Sequence, residues 1–100
     1  MKTTRLRSRK PTSPGEILRE EFLEPMGLTQ KQLAEHIDCD IKVINRIVNE
    51  KAALTVPIAL KLAATLKTSP EFWLNAQREV DLFNAEADMH NLPKPLLKTG

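Results

Sequence analysis

The side chains best suited to recognising a ligand lie between residues 29 and 51. This segment reads TQKQLAEHIDCDIKVINRIVNEK, and its second half carries cations and amides at helical spacing. Arg and Lys match the O6 and N7 atoms of guanine, Asn matches N6 and N7 of adenine, and an aliphatic side chain can contact the thymine methyl group. The pattern predicts a helix that reads the major groove of DNA. Its base-facing candidates are Ile41, Lys42, Asn45 and Arg46.

Two short helices are needed to position these side chains. Thr29 and Gln32 have capping-box spacing, which predicts the start of the first helix, and residues 38–40 interrupt its apolar pattern. Residues 41–48 are predicted to form the second helix, because their apolar side chains recur at i, i+3 and i+4. In such a helix-turn-helix the first helix crosses the DNA backbone and braces the second. The candidates for phosphate contacts are Gln30, Lys31, Asn49 and Lys51.

The polar face of the second helix also has a simpler interpretation. Small helical domains that bind no nucleic acid also present a polar helix face to water, and a face with two cations and two amides is not rare. The spacing of these residues therefore leaves both interpretations open, and the choice between them depends on the rest of the chain.

An enzyme is the alternative from a different functional class. Cys39 could form a thiol–imidazole pair with His36 or His90, but Cys39 occupies an apolar turn position, where a buried thiol is unreactive. One cysteine and two distant histidines match no metal-binding spacing, and the three glycines form no phosphate-binding loop. We therefore predict no catalytic activity, no metal site and no cofactor.

Three further helices complete a predicted all-α fold with five helices. Capping residues followed by proline or an acid, and the stop signals after them, place these helices within residues 13–27, 55–68 and 69–87. We expect Pro25 and Gly27 to end the first of them. The last one is the most aromatic element of the chain. The buried stripe expected for the middle one consists of Ala59, Leu60, Ala63 and Leu66.

Length and composition limit the organisation of the protein. One hundred residues, of which 41% are apolar, suffice for one domain with a small core. No apolar run approaches the ~20 residues that span a bilayer, and the polar, basic first ten residues lack the apolar core of a secretory signal. The single cysteine fits a reducing compartment. We therefore expect a cytoplasmic protein with no membrane partner.

Charge is distributed unevenly between the N-terminus and the rest of the chain. Residues 1–13 contain five cations and no acid, whereas residues 14–100 have a net charge of −3. A basic tail can follow a phosphate backbone, because its cations displace condensed counterions, but it can equally be a solvated terminus. We expect a flexible basic tail (1–12), a helical domain (13–87) and an irregular C-terminal tail (88–100).

A family resemblance brings these features together. Residues 29–48 resemble the helix-turn-helix of the phage-repressor-like (Xre) family, in which T-Q-x-x-L-A precedes the turn and an isoleucine ladder, here Ile44 and Ile47, follows it. The wider stretch from Pro14 to Gln77 is similar to the HigA-type antitoxins of bacterial type II toxin–antitoxin modules. Its matching pieces read PGEILREEFLEPMGLTQKQLA, RIVNEKAALTVPIALKLA and TSPEFWLNAQ, and they cover roughly two-thirds of the chain.

The resemblance implies a phage-repressor-like fold and two functions. Antitoxins of this type bind and neutralise a small ribonuclease toxin that cleaves mRNA, and as homodimers they repress their own operon by binding palindromic operator DNA. The phosphate-contacting Gln of the family motif falls on Gln30, and the groove-facing positions fall on the four base-facing candidates. A stand-alone dimeric repressor without a toxin is the alternative, because it would share the fold and the mode of DNA binding.

Two positions depart from the family pattern. The turn glycine of the wider family is Asp38 here, and the glycine that often follows the recognition helix is Glu50. Each must accept or avoid a left-handed backbone conformation, which Asp tolerates better than Glu. Their negative charges near phosphates also imply that operator affinity depends on nearby cations, namely Lys42, Arg46, Lys51 and the basic tail.

Two surfaces are candidates for protein partners. A toxin that binds RNA is expected to be basic, and the acidic face of the first helix could attract it, although acids near a helix start are also favoured in any protein. The residues of this face are Glu16, Glu20, Glu21 and Glu24, and the C-terminal tail is an equally open candidate. The last helix has more large apolar side chains than one face can bury, so we expect most of them in the core and some at a dimer interface. Its candidates are Phe72, Trp73, Leu82 and Phe83.

Overall fold

The computed structural model describes residues 9–97, and every regular element in that range is helical. The first helix, α1, has three contiguous segments, of which Pro14–Ile17 and Glu24–Met26 are α-helical and Leu18–Leu23 is π-helical. The others are α2 (Gln30–His36), α3 (Ile41–Val48), α4 (Val56–Leu66) and α5 (Pro70–Asp88). The predicted all-α fold with five helices is confirmed. Most of the predicted basic tail, residues 1–8, lies outside the described residues, as do residues 98–100.

Side-chain caps explain where most of the helices begin. Ser13, Asp40 and Ser69 each accept a hydrogen bond from a backbone N–H in the following turn, over 2.8–3.1 Å. Thr29 and Gln32 form the complete capping box, in which each side chain accepts a hydrogen bond from the other residue's backbone N–H. These caps satisfy N–H groups that have no partner within the helix, so even the short helix α2 begins at a defined residue.

Helix α1 continues past one of its two predicted stop signals. Pro25 lies inside the last α-helical segment, and Gly27, with a φ of 66°, ends the helix. In a regular α-helix the proline ring clashes with the carbonyl group four residues back. The preceding π-helical segment widens this turn, with the Glu24 N–H donating to the Arg19 carbonyl, and so accommodates the ring. The predicted stop was right at Gly27 and wrong at Pro25.

The buried stripe of α4 differs from the predicted one. Leu60 is 54% exposed, so its prediction as a core residue was wrong. Successive residues are about 100° apart around a helix, and a stripe that includes residues 58 and 62 turns residue 60 away from the core. Thr55 occupies the N-cap position of α4 as predicted, but its side chain makes no capping hydrogen bond. The residues that α4 buries are Ile58, Ala59, Leu62, Ala63 and Leu66.

One apolar cluster holds the five helices together. Its largest fully buried side chains come one from each helix, in chain order Leu18, Leu33, Ile44, Leu62 and Trp73. Because α2 and α3 both contribute to this shared cluster, the whole domain fixes the position of the helix-turn-helix.

The last helix extends beyond the core. Val80 is the final buried residue in the described part of the chain, although α5 continues to Asp88. Residues 89–97 are exposed and contain no helix or strand. None of the described helices has the length and apolar character needed to cross a membrane.

Candidate nucleic-acid interface

A four-residue turn, residues 37–40, joins α2 to α3. Asp38 has a φ of 56°, which is the left-handed conformation that glycine favours, and the Lys61 ammonium group donates to its carbonyl oxygen over 3.3 Å. The Cys39 N–H donates to the Ala34 carbonyl over 2.9 Å and closes the turn. Aspartate therefore accepts the backbone conformation of the turn, and the helix-turn-helix forms without a glycine.

One face of α3 is buried and the opposite face is open. Ile44, Ile47 and Val48 pack into the core. The structure brings all four predicted base contacts together on the open face, where they are exposed and line one shallow concave surface. These residues are Ile41, Lys42, Asn45 and Arg46.

A hydrogen bond links a predicted phosphate contact to a predicted base contact. The Asn45 Nδ2 atom donates to Gln30 Oε1 over 3.1 Å and connects the start of α2 to the middle of α3. This bond leaves both Gln30 amide hydrogens unused, and it leaves Asn45 one further hydrogen and its Oδ1 atom. The pair can therefore offer donors to a phosphate and, at the same time, a donor and an acceptor to a base edge.

The other predicted phosphate contacts flank the open face. Lys31 is exposed near the start of α2, and Asn49 is exposed at the C-cap of α3. Lys51 follows, and its backbone N–H donates to the Arg46 carbonyl over 2.7 Å. The Arg46 Nη2 atom is 3.5 Å from the Lys51 carbonyl oxygen, so the Arg46 side chain extends towards the end of α3.

The end of α3 also contacts the N-terminal segment, which is residues 9–13. Glu50 has a φ of 58°, and its carboxylate accepts a hydrogen bond from Lys10 Nζ over 2.9 Å. The hydrogen bond from Lys10 and the Lys10 charge outweigh the opposing effect of burial and hold the pKa of the Glu50 carboxyl group below its usual value. The sequence marks Glu50 only as a departure from glycine, because a partner forty residues away leaves no local signal.

In the structure the Cys39 thiol donates to the Asp40 carbonyl over 3.6 Å rather than to either histidine. Cys39 is half-buried, and burial raises the pKa of its thiol, an effect that the nearby Lys61 charge only partly offsets. The protonated thiol is a poor nucleophile. His36 and His90 are both exposed, on α2 and beyond α5. Within residues 9–97, no three His, Cys, Asp or Glu side chains are grouped so that they could hold a metal ion.

The acidic face of α1 is partly neutralised by an arginine. Arg19 lies 3.1 Å from the Glu20 carboxylate and 3.5 Å from the Glu24 carboxylate. Glu16 is half-buried, whereas Glu21 is exposed and forms no ion pair with another described residue. Glu21 is therefore the one candidate of the four that is exposed and has no ion pair to a described residue.

The dimer candidates on α5 differ in exposure. Trp73 is completely buried, so it has no surface to offer a second chain, and its prediction as an interface residue was wrong. Its ring fills the core because its indole N–H finds a partner there, the Thr68 hydroxyl, over 2.7 Å. Phe72 and Leu82 are exposed, and Phe83 is half-buried.

Helix α4 adds an apolar surface that the sequence interpretation missed. Val56 and Leu60 are both more than half exposed and lie one helical turn apart. The signal was present in the chain, since a stripe phased on Ile58 and Leu62 would have placed both residues on the outer face.

Comparison with known proteins identifies the family. Residues 19–73 match the helix-turn-helix family. Antitoxin HigA-1 of Vibrio cholerae is 50% identical to this chain over 76 residues, which cover 76% of this chain and 71% of that protein. The chain belongs to the helix-turn-helix family that includes the HigA antitoxins. The resemblance to HigA-type antitoxins predicted from its motifs is confirmed.

Two further members of this family are similar over most of their length. An uncharacterised helix-turn-helix transcriptional regulator of Haemophilus influenzae is 48% identical, over 79% of this chain and 74% of that protein. The solved structure of the Pseudomonas aeruginosa antitoxin HigA with the higBA promoter has a TM-score of 0.81 and 34% identity. It covers 88% of this chain and is itself covered completely, so the fold is the same along the described helices.

Proposed function

We propose that this helix-turn-helix protein binds operator DNA sequence-specifically and uses α3 as its recognition helix. The observation that carries the proposal is the open face of α3, on which all four base-matching side chains lie together while the opposite face is buried. An α-helix fits the major groove, and these side chains match base edges there. The related HigA structure, solved with its promoter, supports this role for the fold.

The phosphate contacts follow from the way in which α2 supports α3. When α3 lies in the major groove, α2 crosses the backbone, which brings Gln30 and Lys31 to phosphates. The hydrogen bond from Asn45 orients the Gln30 amide, so the phosphate contact and the base contact form together. Asn49 and Lys51 contact the backbone at the other end of α3.

Binding to the promoter of the protein's own gene tests this proposal. At ~0.15 M salt we expect the wild-type protein to bind this promoter at least about 10³-fold more tightly than a shuffled duplex of the same composition. Equal affinities for the two duplexes would contradict the proposal even if both were high, because phosphate contacts alone give affinity without sequence preference.

We also propose that the protein is an antitoxin that neutralises a ribonuclease and represses its own operon. The relative named antitoxin HigA-1 supports this assignment. The acidic face of α1 suits a basic partner, since complementary charge steers association. Its contact candidates are Glu16, Glu20, Glu21 and Glu24, and the exposed segment 89–97 is a second candidate surface.

Capture from the native cell extract tests the antitoxin proposal. The full chain should retain a small basic protein whose RNA cleavage becomes measurable once this chain is denatured and removed. We expect Glu21→Lys to reduce this capture, and Glu71→Lys, an exposed acid on α5, to leave it unchanged. Recovery of promoter DNA with no protein partner would instead favour a stand-alone repressor.

We propose that the protein acts on DNA as a homodimer. A two-fold dimer places two recognition helices about one turn of DNA apart, ~34 Å, which matches a palindromic operator. The second copy would cover the apolar side chains that α4 and α5 leave accessible. These candidates are Val56, Leu60, Phe72, Leu82 and Phe83.

A further inference from the structure

Helix α1 meets the end of α3 at a closely packed point. A Cβ atom on Gly15 would lie 2.0 Å from the Ile47 carbonyl oxygen, so α1 can approach the α3 backbone only through a glycine. Nearby, the ion pair between Lys10 and Glu50 joins the residues before α1 to the residues after α3. Two independent contacts therefore fix where the N-terminal segment leaves the domain.

The Glu50 side chain binds Lys10, although the Glu50 backbone is in an unfavourable conformation. Its φ of 58° is left-handed, and a side chain is disfavoured in this region whereas glycine is not. The carboxylate accepts a hydrogen bond from Lys10 Nζ over 2.9 Å. The left-handed residue after α3 therefore directs its carboxylate to Lys10.

The cation that Glu50 holds shares a groove with Lys51, which is one of the proposed phosphate contacts. Lys10 and Lys51 line one groove of about 280 Å³, between the N-terminal segment, the loop after α3 and α5, and the acids Glu50 and Asp81 line it as well. The Arg46 guanidinium group donates to the carbonyl oxygen of Lys51 over 3.5 Å. The Lys10 ammonium group has three hydrogens, so it can donate to Glu50 and to a phosphate at once.

We propose that Lys10 and Lys51 form a second phosphate-binding site for operator DNA, and that Glu50 is the positioning residue that holds Lys10 in this site. The inference rests on the proposed function, because it requires α3 to lie in the major groove. The contacted phosphates then flank the base pairs next to Arg46. The site extends DNA contact from the helix-turn-helix to the root of the N-terminal segment.

The same ion pair could instead weaken DNA binding, if Glu50 competed with phosphate for Lys10. The two accounts differ in the sign of the coupling between positions 10 and 50. If Glu50 positions Lys10, Lys10 contributes more to DNA affinity when Glu50 is present. Removing Glu50 then reduces the loss of affinity that Lys10→Ala causes. If Glu50 competes with phosphate, Lys10 contributes less to DNA affinity when Glu50 is present. Removing Glu50 then increases the loss of affinity that Lys10→Ala causes.

A double-mutant cycle on promoter affinity tests the proposal with the full chain. We expect Lys10→Ala to weaken binding about fivefold at ~0.15 M salt and to lower the slope of log affinity against log salt by about 0.9, as loss of one phosphate contact requires. In the Glu50→Gln background, Lys10→Ala should weaken binding by less than about twofold, since a neutral amide holds an ammonium group less firmly.

Two further variants separate positioning from a merely structural role. Glu50→Gly relieves the left-handed strain, so it should raise the melting temperature and still lower the salt slope. Arg78→Ala removes an exposed cation on α5 and should change neither quantity. An unchanged slope in Glu50→Gly would mean that Glu50 does not position Lys10 for a phosphate and would overturn the proposal.

Each remaining outcome of the cycle is also decisive. A larger effect of Lys10→Ala in the Glu50→Gln background would show that Glu50 competes with DNA, and equal effects in the two backgrounds would show that it does not position Lys10. Either result overturns this inference while leaving the proposed function intact. A wild-type protein with no preference for its promoter would overturn the proposed function, and the inference with it.

Discussion

Trp73 contributes to the domain through its ring and through its N–H. Its ring centroid lies 5.5 Å from that of Phe22 in a tilted pair and 5.1 Å from that of Phe72 in an edge-to-face pair. The indole N–H donates to Thr68, so the buried polar atom is satisfied. Replacing this residue removes the packing and the hydrogen bond together.

We expect Trp73→Ala to lower the free energy of unfolding by about 3–5 kcal/mol, because truncating a buried aromatic side chain leaves a cavity. Urea denaturation measures this loss. Phe72→Ala is the control and should cost less, since Phe72 is exposed. If Trp73 lay at a dimer interface instead, the loss would grow with protein concentration, because wild-type dimers gain stability by mass action.

Whether the contact of a single residue could be predicted depends on how many residues separate the two partners in the sequence. The caps at Ser13, Asp40 and Ser69 were predictable, because a cap acts on the next two or three residues. The partner of Glu50 was not, since only the folded chain brings Lys10 to it. The choice for Trp73 between core and interface also needed the folded chain, because one apolar pattern fits both.

At the scale of the elements, the packing of α1 on α3 sets the position of the proposed recognition helix. Gly15 lies against the backbone at Ile47 and Val48, which are part of the buried face of α3. Any displacement of α1 at this point therefore moves the helix that we propose to read DNA.

We expect Gly15→Ala to lower the free energy of unfolding by about 1–3 kcal/mol, because the added methyl group overpacks the contact between two helices. We also expect weaker promoter binding, since α3 must shift. Gly27→Ala is the matched control: its Cβ would meet no atom within 4 Å, so it adds only backbone strain. Both quantities can be measured on the same samples. Normal promoter affinity in a destabilised Gly15→Ala would show that α1 does not position α3.

The existence and order of all five helices could be predicted, because each has a start signal and an apolar periodicity. Two details could not. The π-helical segment of α1 arises from a conflict between Pro25 and a continuous helix, which the sequence presents only as a stop signal. The exposure of Leu60 depends on which face of α4 meets α5 and the rest of the core, and short apolar helices fit more than one phase.

At the scale of the whole molecule, the open face of α3 and the exposed apolar side chains of α4 and α5 both support the proposed binding of DNA by a homodimer. A monomer reads one half of a palindromic operator, whereas a dimer reads both halves. Covering Val56 and Leu60 would also remove apolar surface from water, which favours association.

We expect Leu60→Asp to convert the dimer to a monomer without loss of helix, because Leu60 is exposed and its replacement leaves the core intact. Light scattering after size-exclusion chromatography measures the mass, and circular dichroism measures the helix content. Leu92→Asp is the matched control, since Leu92 is exposed beyond the last helix. A dimer that persisted in Leu60→Asp and also in Leu82→Asp would contradict the proposed interface.

The side chains that share the open face of α3 could be predicted from the sequence, because residues four apart on one short helix share a face. The structure adds the Gln30–Asn45 hydrogen bond, which connects two residues fifteen positions apart, and the Lys10–Glu50 ion pair. The surfaces for a toxin and for a second copy were less predictable. Acidic and apolar faces have several uses, and their exposure depends on packing.

The ratio of affinities for the promoter and for a shuffled duplex, measured in Arg46→Ala, tests the central claim most directly. We expect Arg46→Ala to lower this ratio by roughly fivefold to 150-fold, which corresponds to the ~1–3 kcal/mol of one bidentate base contact. Lys31→Ala should weaken binding to both duplexes alike and leave the ratio unchanged, because a phosphate contact carries no sequence information. An equal loss on both duplexes in Arg46→Ala would contradict the reading of bases by this residue of α3.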